Sequence, residues 1–168
     1  MNNIGLSRKE MFRYMDRCIE LAKETSKDIW YPHVGALVLS TDREIIGEGY
    51  KQKLDDTSIV MHAERAALYK AGNKAKGGYL FSVLEPCTKI NKSTIFSPCS
   101  HLIAEYGIGV VVFGLKDGSR KFNRGSGSKY LQAHGIKVIY LHEYTKTIQK
   151  DLFKYLANKK TIAQCRSR

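Results

Sequence analysis

Apolar residues Met11, Met15, Cys18 and Ala22 recur at three- and four-residue intervals behind Ser7-Arg8-Lys9-Glu10. A serine followed three residues later by glutamate has the form of a capping box, so the spacing predicts a helix from Ser7 to about Glu24. Cys18 falls on the apolar face of that helix, where a small buried residue is expected. The pattern then shortens. VGALVLS (34–40) and EIIGEGY (44–50) are apolar, rich in β-branched residues and separated by TDR, which predicts a hairpin. QKLDDTS (52–58) is polar and predicts a loop in which Asp56, Thr57 or Ser58 can cap the element that follows. Met61 to Lys70 favours helix, and Ala71-Gly72 ends it.

Six further segments alternate between strand and helix. GYLFSVL (78–84) predicts a strand stopped by Pro86, SHLIAEYGI after Cys99 a short helix, and GVVVFGL (109–115) a buried strand. GSGSKYLQAHGI contains a helix, IKVIYLH (136–142) a strand, and YTKTIQKDLFKYLANKK a last amphipathic helix. The order α-β-β-α-β-α-β-α-β-α predicts a single α/β domain whose later strands are parallel and buried between helices.

Composition changes this picture little. The chain has 168 residues, 43% of them apolar and 26% charged, enough for one domain with a real core. No run of about 18 apolar residues exists, which argues against a membrane span. The N-terminus carries charge but no apolar stretch of secretory length, so a cytoplasmic protein is expected. Four cysteines in a chain of this size do not suggest a disulfide framework.

The charge is uneven. Of a net +12, residues 146–168 carry +6 and residues 116–130 carry +4. Such a field favours phosphate-bearing partners, whether a nucleotide or, through the basic C-terminal tail, nucleic acid. Residues 1–145 are expected to form the main domain and 146–168 a basic C-terminal helix and tail.

Three residues suggest a metal centre if they meet in space. HAERAAL begins with His62 and places Glu64 two residues on, Cys87 closes Glu-Pro-Cys after a strand, and Cys99 closes Pro-Cys at a helix start. One imidazole and two thiolates suit Zn2+, and three protein ligands leave a fourth position for water, as in catalytic zinc sites. Glu64 is then placed to take a proton from that water and pass it to a ring nitrogen or a departing amine, which amounts to hydrolytic deamination. One feature resists the pattern: residues two apart on a regular helix lie about 200° around its axis, so His62 and Glu64 would not share a helical face.

H-x-E followed by P-C-x-x-C is the signature of zinc-dependent nucleobase deaminases, and this chain resembles that superfamily from about Glu10 to His142. Eleven residues, rather than two, separate Cys87 from Cys99, which resembles the riboflavin-pathway pyrimidine deaminases. VGALVLSTDREIIGEGY, GGYLFSVLEPC and GSGSKYLQAHGIKVIYL are similar to that family's corresponding stretches. The resemblance implies a cytidine deaminase-like three-layer α/β/α sandwich around a mixed, mostly parallel five-stranded sheet. It also implies zinc held by His62, Cys87 and Cys99, Glu64 as proton shuttle, and an aminopyrimidine nucleotide as substrate. Homodimers or larger homo-oligomers are implied as well, as is work alone or beside a separate reductase.

Besides stopping soon after the deaminase-like region, where bacterial members often carry a reductase, the chain departs from that family at two places. Tyr31 stands where an asparagine precedes the family's Pro-x-Val-Gly segment, so Tyr31 and His33 would line the pocket with a different bonding pattern. TKINKSTIFSP lacks the family's histidine and Gly-Arg/Lys-Thr element, and offers Lys89 and Lys92 to a phosphate instead. Separately, the glycines of KDGSRKFNRGSGS (116–128) before a helix suit an anion site of backbone N–H groups, to which Arg120, Lys121 or Arg124 would add charge, and Asp117 and Asn123 fall where the family it resembles has comparable polar residues. Alternatives to the aminopyrimidine nucleotide are cytidine, deoxycytidylate or a base within a nucleic acid. Outside the class stands a zinc-stabilised binding module without turnover, against which the carboxylate of Glu64 argues.

Overall fold

A computed structural model describes residues 5–29, 32–54, 57, 59–88, 95–117 and 127–152. The first helix, α1 (Arg8–Lys23), starts as its sequence dictates. Ser7 accepts from the Glu10 amide while the Glu10 side chain takes the Ser7 N–H, completing the capping box. Met11, Met15, Cys18 and Ala22 are buried along one side of it.

The hairpin is present as β1 (Gly35–Leu39) and β2 (Ile45–Tyr50), paired antiparallel. Two short strands, β3 (Gln52–Lys53) and β4 (Val60–Met61), then pair with each other where a plain loop was expected. Two residues per strand are too few to show an alternation in the sequence. Thr57 serves the turn between them, donating to the Leu54 carbonyl, and does not cap the next helix. That helix, α2 (Ala63–Ala71), has His62 as its N-cap residue.

The remaining elements follow the predicted order: β5 (Tyr79–Leu84), α3 (Cys99–Glu105), β6 (Val110–Leu115), α4 (Gly127–Ala133), β7 (Lys137–Tyr140) and α5 (Thr145–Leu152). The sheet order is β2-β1-β5-β6-β7. β1 runs antiparallel to β2 and β5, whereas β5, β6 and β7 are mutually parallel, as crossover helices require. α1 and α5 cover one face, and α2, α3 and α4 the other. The result is the expected three-layer α/β/α sandwich with a mixed five-stranded sheet. Its core is built on Phe81, Phe113, Met15, Leu37, Leu39 and Leu68. Ile148 and Leu152 anchor α5 to it, and residues 153–168, the rest of the expected last helix and tail, lie outside the described residues. Among the described residues, no helix is long and apolar enough to cross a membrane.

One packing detail places the functional end of α2. On β2, a Cβ at Gly49 would lie 2.4 Å from the Ala63 carbonyl oxygen, and one at Gly47 would lie 2.1 Å from that of Ala67. Only glycine lets helix backbone and strand approach this closely. The first turn of α2 therefore rests directly on β2.

Candidate metal centre

Three chain reversals meet at one end of the sheet. His62 precedes α2, Cys87 follows β5 by three residues, and Cys99 is the first residue of α3. His62 has φ −72° and ψ 152°, extended rather than helical, and makes no side-chain cap bond. This resolves the 200° difficulty: His62 stands outside the helical frame to which Glu64 belongs, so the two need not point apart.

The ligating atoms of His62, Cys87 and Cys99 all lie within 4.8 Å of one another. His62 Nδ1 is 3.7 Å from Cys87 Sγ and 3.4 Å from Cys99 Sγ. Zinc bonds of about 2.3 Å to sulfur and about 2.05 Å to nitrogen, opened to the tetrahedral angle, put such N and S atoms about 3.6 Å apart. The two nitrogen–sulfur spacings straddle that value, so the donor set fits zinc in its chemistry and in these distances.

Protonation is shared around the cluster. The hydrogen bond between the sulfurs lowers the proton affinity of Cys87 and, together with burial, raises that of Cys99. Cys87 also accepts the Cys99 backbone N–H at 3.4 Å. Burial opposes a proton on His62, but the contact with Cys87 and the charge of Glu64 reverse the balance and raise its pKa. Glu64 is 4% exposed, and burial pushes its carboxyl pKa upward. It lies outside the three-ligand group. That is where a proton carrier belongs, beside the metal position but not bound to it.

The other expected contacts divide. His33 is buried, with Nε2 3.2 Å from the Ile29 carbonyl oxygen, and is not among the clustered donors. Asp117 donates its backbone N–H to Glu85 at 3.3 Å. Tyr31, Lys89, Lys92, Arg120, Asn123 and Arg124 lie outside the described residues.

Three charged residues around the site escaped the sequence pattern. Lys51, just after β2, bonds the Pro32 carbonyl at 3.2 Å; its charge opposes a proton on His62, and the carboxylate of Glu64 favours the charged form of Lys51. Burial lowers its pKa to about 8. Arg65 is buried beside Glu64 and grips Ser97, two residues before Cys99, through its carbonyl at 2.6 Å and its hydroxyl at 3.1 Å. Glu85 is buried two residues before Cys87. Only Glu85 had a signal, its place in Glu-Pro-Cys; nothing in the local pattern marks the other two.

A mixed sheet with a His/Cys/Cys cluster and a buried carboxylate at its end defines a zinc-dependent deaminase fold. The profile of the cytidine and deoxycytidylate deaminase zinc-binding region matches residues 8–115, and the chain belongs to that family, whose cofactor is zinc. Within it, the chain is 35% identical over 147 residues to the diaminohydroxyphosphoribosylamino-pyrimidine deaminase of Buchnera aphidicola from Acyrthosiphon pisum, covering 84% of this chain and 92% of that protein. It is 37% identical over 131 residues to the riboflavin biosynthesis protein RibD of Buchnera aphidicola from Baizongia pistaciae. That match covers 77% of this chain but spans only 32% of RibD. Among solved structures, the deaminase/reductase of Thermotoga maritima superposes with a TM-score of 0.70 at 32% identity, over 88% of this chain and 40% of that one. A cyanophage dCMP deaminase at 22% identity and TM-score 0.61 shares the fold, covering 80% of this chain and 99% of its own.

Proposed function

We propose that this protein is a hydrolase that removes an exocyclic amine from a diaminohydroxyphosphoribosylaminopyrimidine. The observation that carries this reading is the close approach of His62, Cys87 and Cys99, with their donor atoms within 4.8 Å of one another and buried Glu64 beside but outside the group. His62, Cys87 and Cys99 hold the metal. Bound there, zinc supplies Lewis acidity that brings the ionisation of water towards neutral pH. Glu64 takes one proton from the attacking water and delivers it to the ring nitrogen beside the amine-bearing carbon, then takes the second from the new hydroxyl and delivers it to the departing amine. A C–O bond forms, the C–N bond breaks, and ammonia leaves. The raised proton affinity of Glu64 suits a carboxyl that must hold a proton between those transfers. The substrate class follows from the similarity to the Buchnera deaminase, which extends over most of both chains.

The test is mass spectrometry of a mixture incubated with zinc-loaded protein. The mixture contains the diaminopyrimidine ribosyl phosphate, cytidine, deoxycytidylate and short RNA and DNA strands, with Glu64→Gln as control. Conversion of the first compound alone, reduced at least about 100-fold in the control, is the expected result. Conversion of deoxycytidylate or of a strand instead would overturn the substrate assignment.

A further inference from the structure

Glu85 is 4% exposed and has no part in the proton transfers above. It follows β5, and its backbone N–H continues the ladder to the Leu115 carbonyl at 2.9 Å. Its side chain collects three donors from two other segments. Oε2 accepts the Asp117 N–H at 3.3 Å, just beyond β6, and Oε1 accepts the Ser128 N–H at 3.0 Å and hydroxyl at 2.7 Å, in α4. The next residue is held as well. A Cβ on Gly127 would lie 2.0 Å from the Pro86 carbonyl oxygen, so the start of α4 rests on the Pro86 backbone.

Between Glu85 and Cys87 stands only Pro86, whose ring fixes its own φ near −65° and restricts the residue before it. A dipeptide this stiff transmits the placement of Glu85 to the sulfur that follows. We propose that Glu85 is a positioning residue for the metal centre: by binding Asp117 and Ser128 it locks Glu85-Pro86-Cys87 and fixes the direction from which Cys87 reaches the ion. The inference rests on the ligand set proposed above but not on the substrate.

Glutamine tests it well. An amide keeps one oxygen acceptor but turns N–H donors towards one of the N–H groups that the carboxylate now accepts. Zinc release to a chromogenic chelator would be followed for the wild type, Glu85→Gln, Ser128→Ala and Gly127→Ala, with d–d spectra of the cobalt-substituted proteins alongside. Glu85→Gln is expected to release zinc at least about ten-fold faster, as loss of a group that orients a metal ligand typically does. Gly127→Ala should do the same, and Ser128→Ala, which keeps its backbone donor, a few-fold less. The cobalt bands should move in the first two. If Glu85→Gln does not fold, the two α4 variants carry the test. Zinc release within two-fold of wild type and unchanged cobalt bands, with only a lower Tm, would overturn the proposal and leave Glu85 a plain structural tie. Wild-type protein that fails to retain zinc would overturn it as well. Zinc-retaining wild type that converts nothing in the substrate mixture would sink the proposed function and leave this inference to stand or fall on the release rates.

Discussion

Substituting Gly49 by alanine perturbs the placement of α2 without touching any ligand or proton carrier. The added methyl would lie 2.4 Å from the Ala63 carbonyl oxygen, 2.7 Å from Ala66 Cβ and 2.7 Å from the Ala67 amide nitrogen. Ordinary carbon–oxygen contact begins near 3.4 Å, so the first turn of α2 must retreat by about 1 Å, and overpacking of this kind costs about 1–3 kcal/mol. Two of these three neighbours are backbone atoms and the third is an alanine Cβ, none of which a rotamer change can move aside. His62 and Glu64 sit on that turn, one at its cap and one inside it, and would shift relative to Cys87 on a different element. A displacement of about 1 Å in a reacting constellation lowers kcat/KM by about 100-fold. Gly49→Ala is therefore expected to lose activity far beyond its loss of stability, with kcat more affected than KM. Steady-state kinetics on the zinc-loaded protein, beside thermal unfolding, would measure both. Activity within about three-fold of wild type in a fully folded variant would refute the claim that contact with β2 sets the catalytic geometry.

Three other outcomes are expected. Lys51 has its pKa lowered by burial from 10.5 to about 8, so the folded state binds fewer protons than the unfolded chain between those values. Its burial therefore costs stability below pH 8, up to about 3 kcal/mol, and the cost fades as pH rises from 8 to 10.5. Lys51→Met should accordingly gain stability over wild type at pH 7 and lose that advantage by pH 10 in denaturant titrations; an advantage independent of pH would show that the amine is not the cause. Removing zinc should lower stability by about 2.7 kcal/mol relative to protein held at a hundred-fold excess over Kd, or about 5–10 °C in Tm; coincident melting curves would exclude His62, Cys87 and Cys99 as a site bound in the folded state. Glu64→Gln should keep one zinc per chain by elemental analysis while losing turnover, since Glu64 is not in the ligand group; loss of the metal would make it a ligand.

Much of this protein is written locally. The capping box at Ser7 and Glu10, the period-four apolar residues behind it and the β-branched run at 109–115 each predict their element because propensity and periodicity act over a few residues. The ligand types were legible for a similar reason: few chemistries need His-x-Glu and two Pro-Cys pairs. Convergence was not legible, since His62 is 25 residues from Cys87 and 37 from Cys99. Their meeting depends on the sheet order, which brings the end of β5 beside the starts of α2 and α3. The structure also decided that His62 caps α2 in an extended conformation, although Asp56, Thr57 or Ser58 had the more usual capping side chains. Burial, too, is a property of the whole fold. Glu64 holds its proton more tightly, Lys51 less tightly, and Glu85 gathers Asp117 and Ser128, because distant elements exclude water around them. The sequence by itself determined which groups were available for the chemistry; only tertiary packing determined which of them meet, and with what charge.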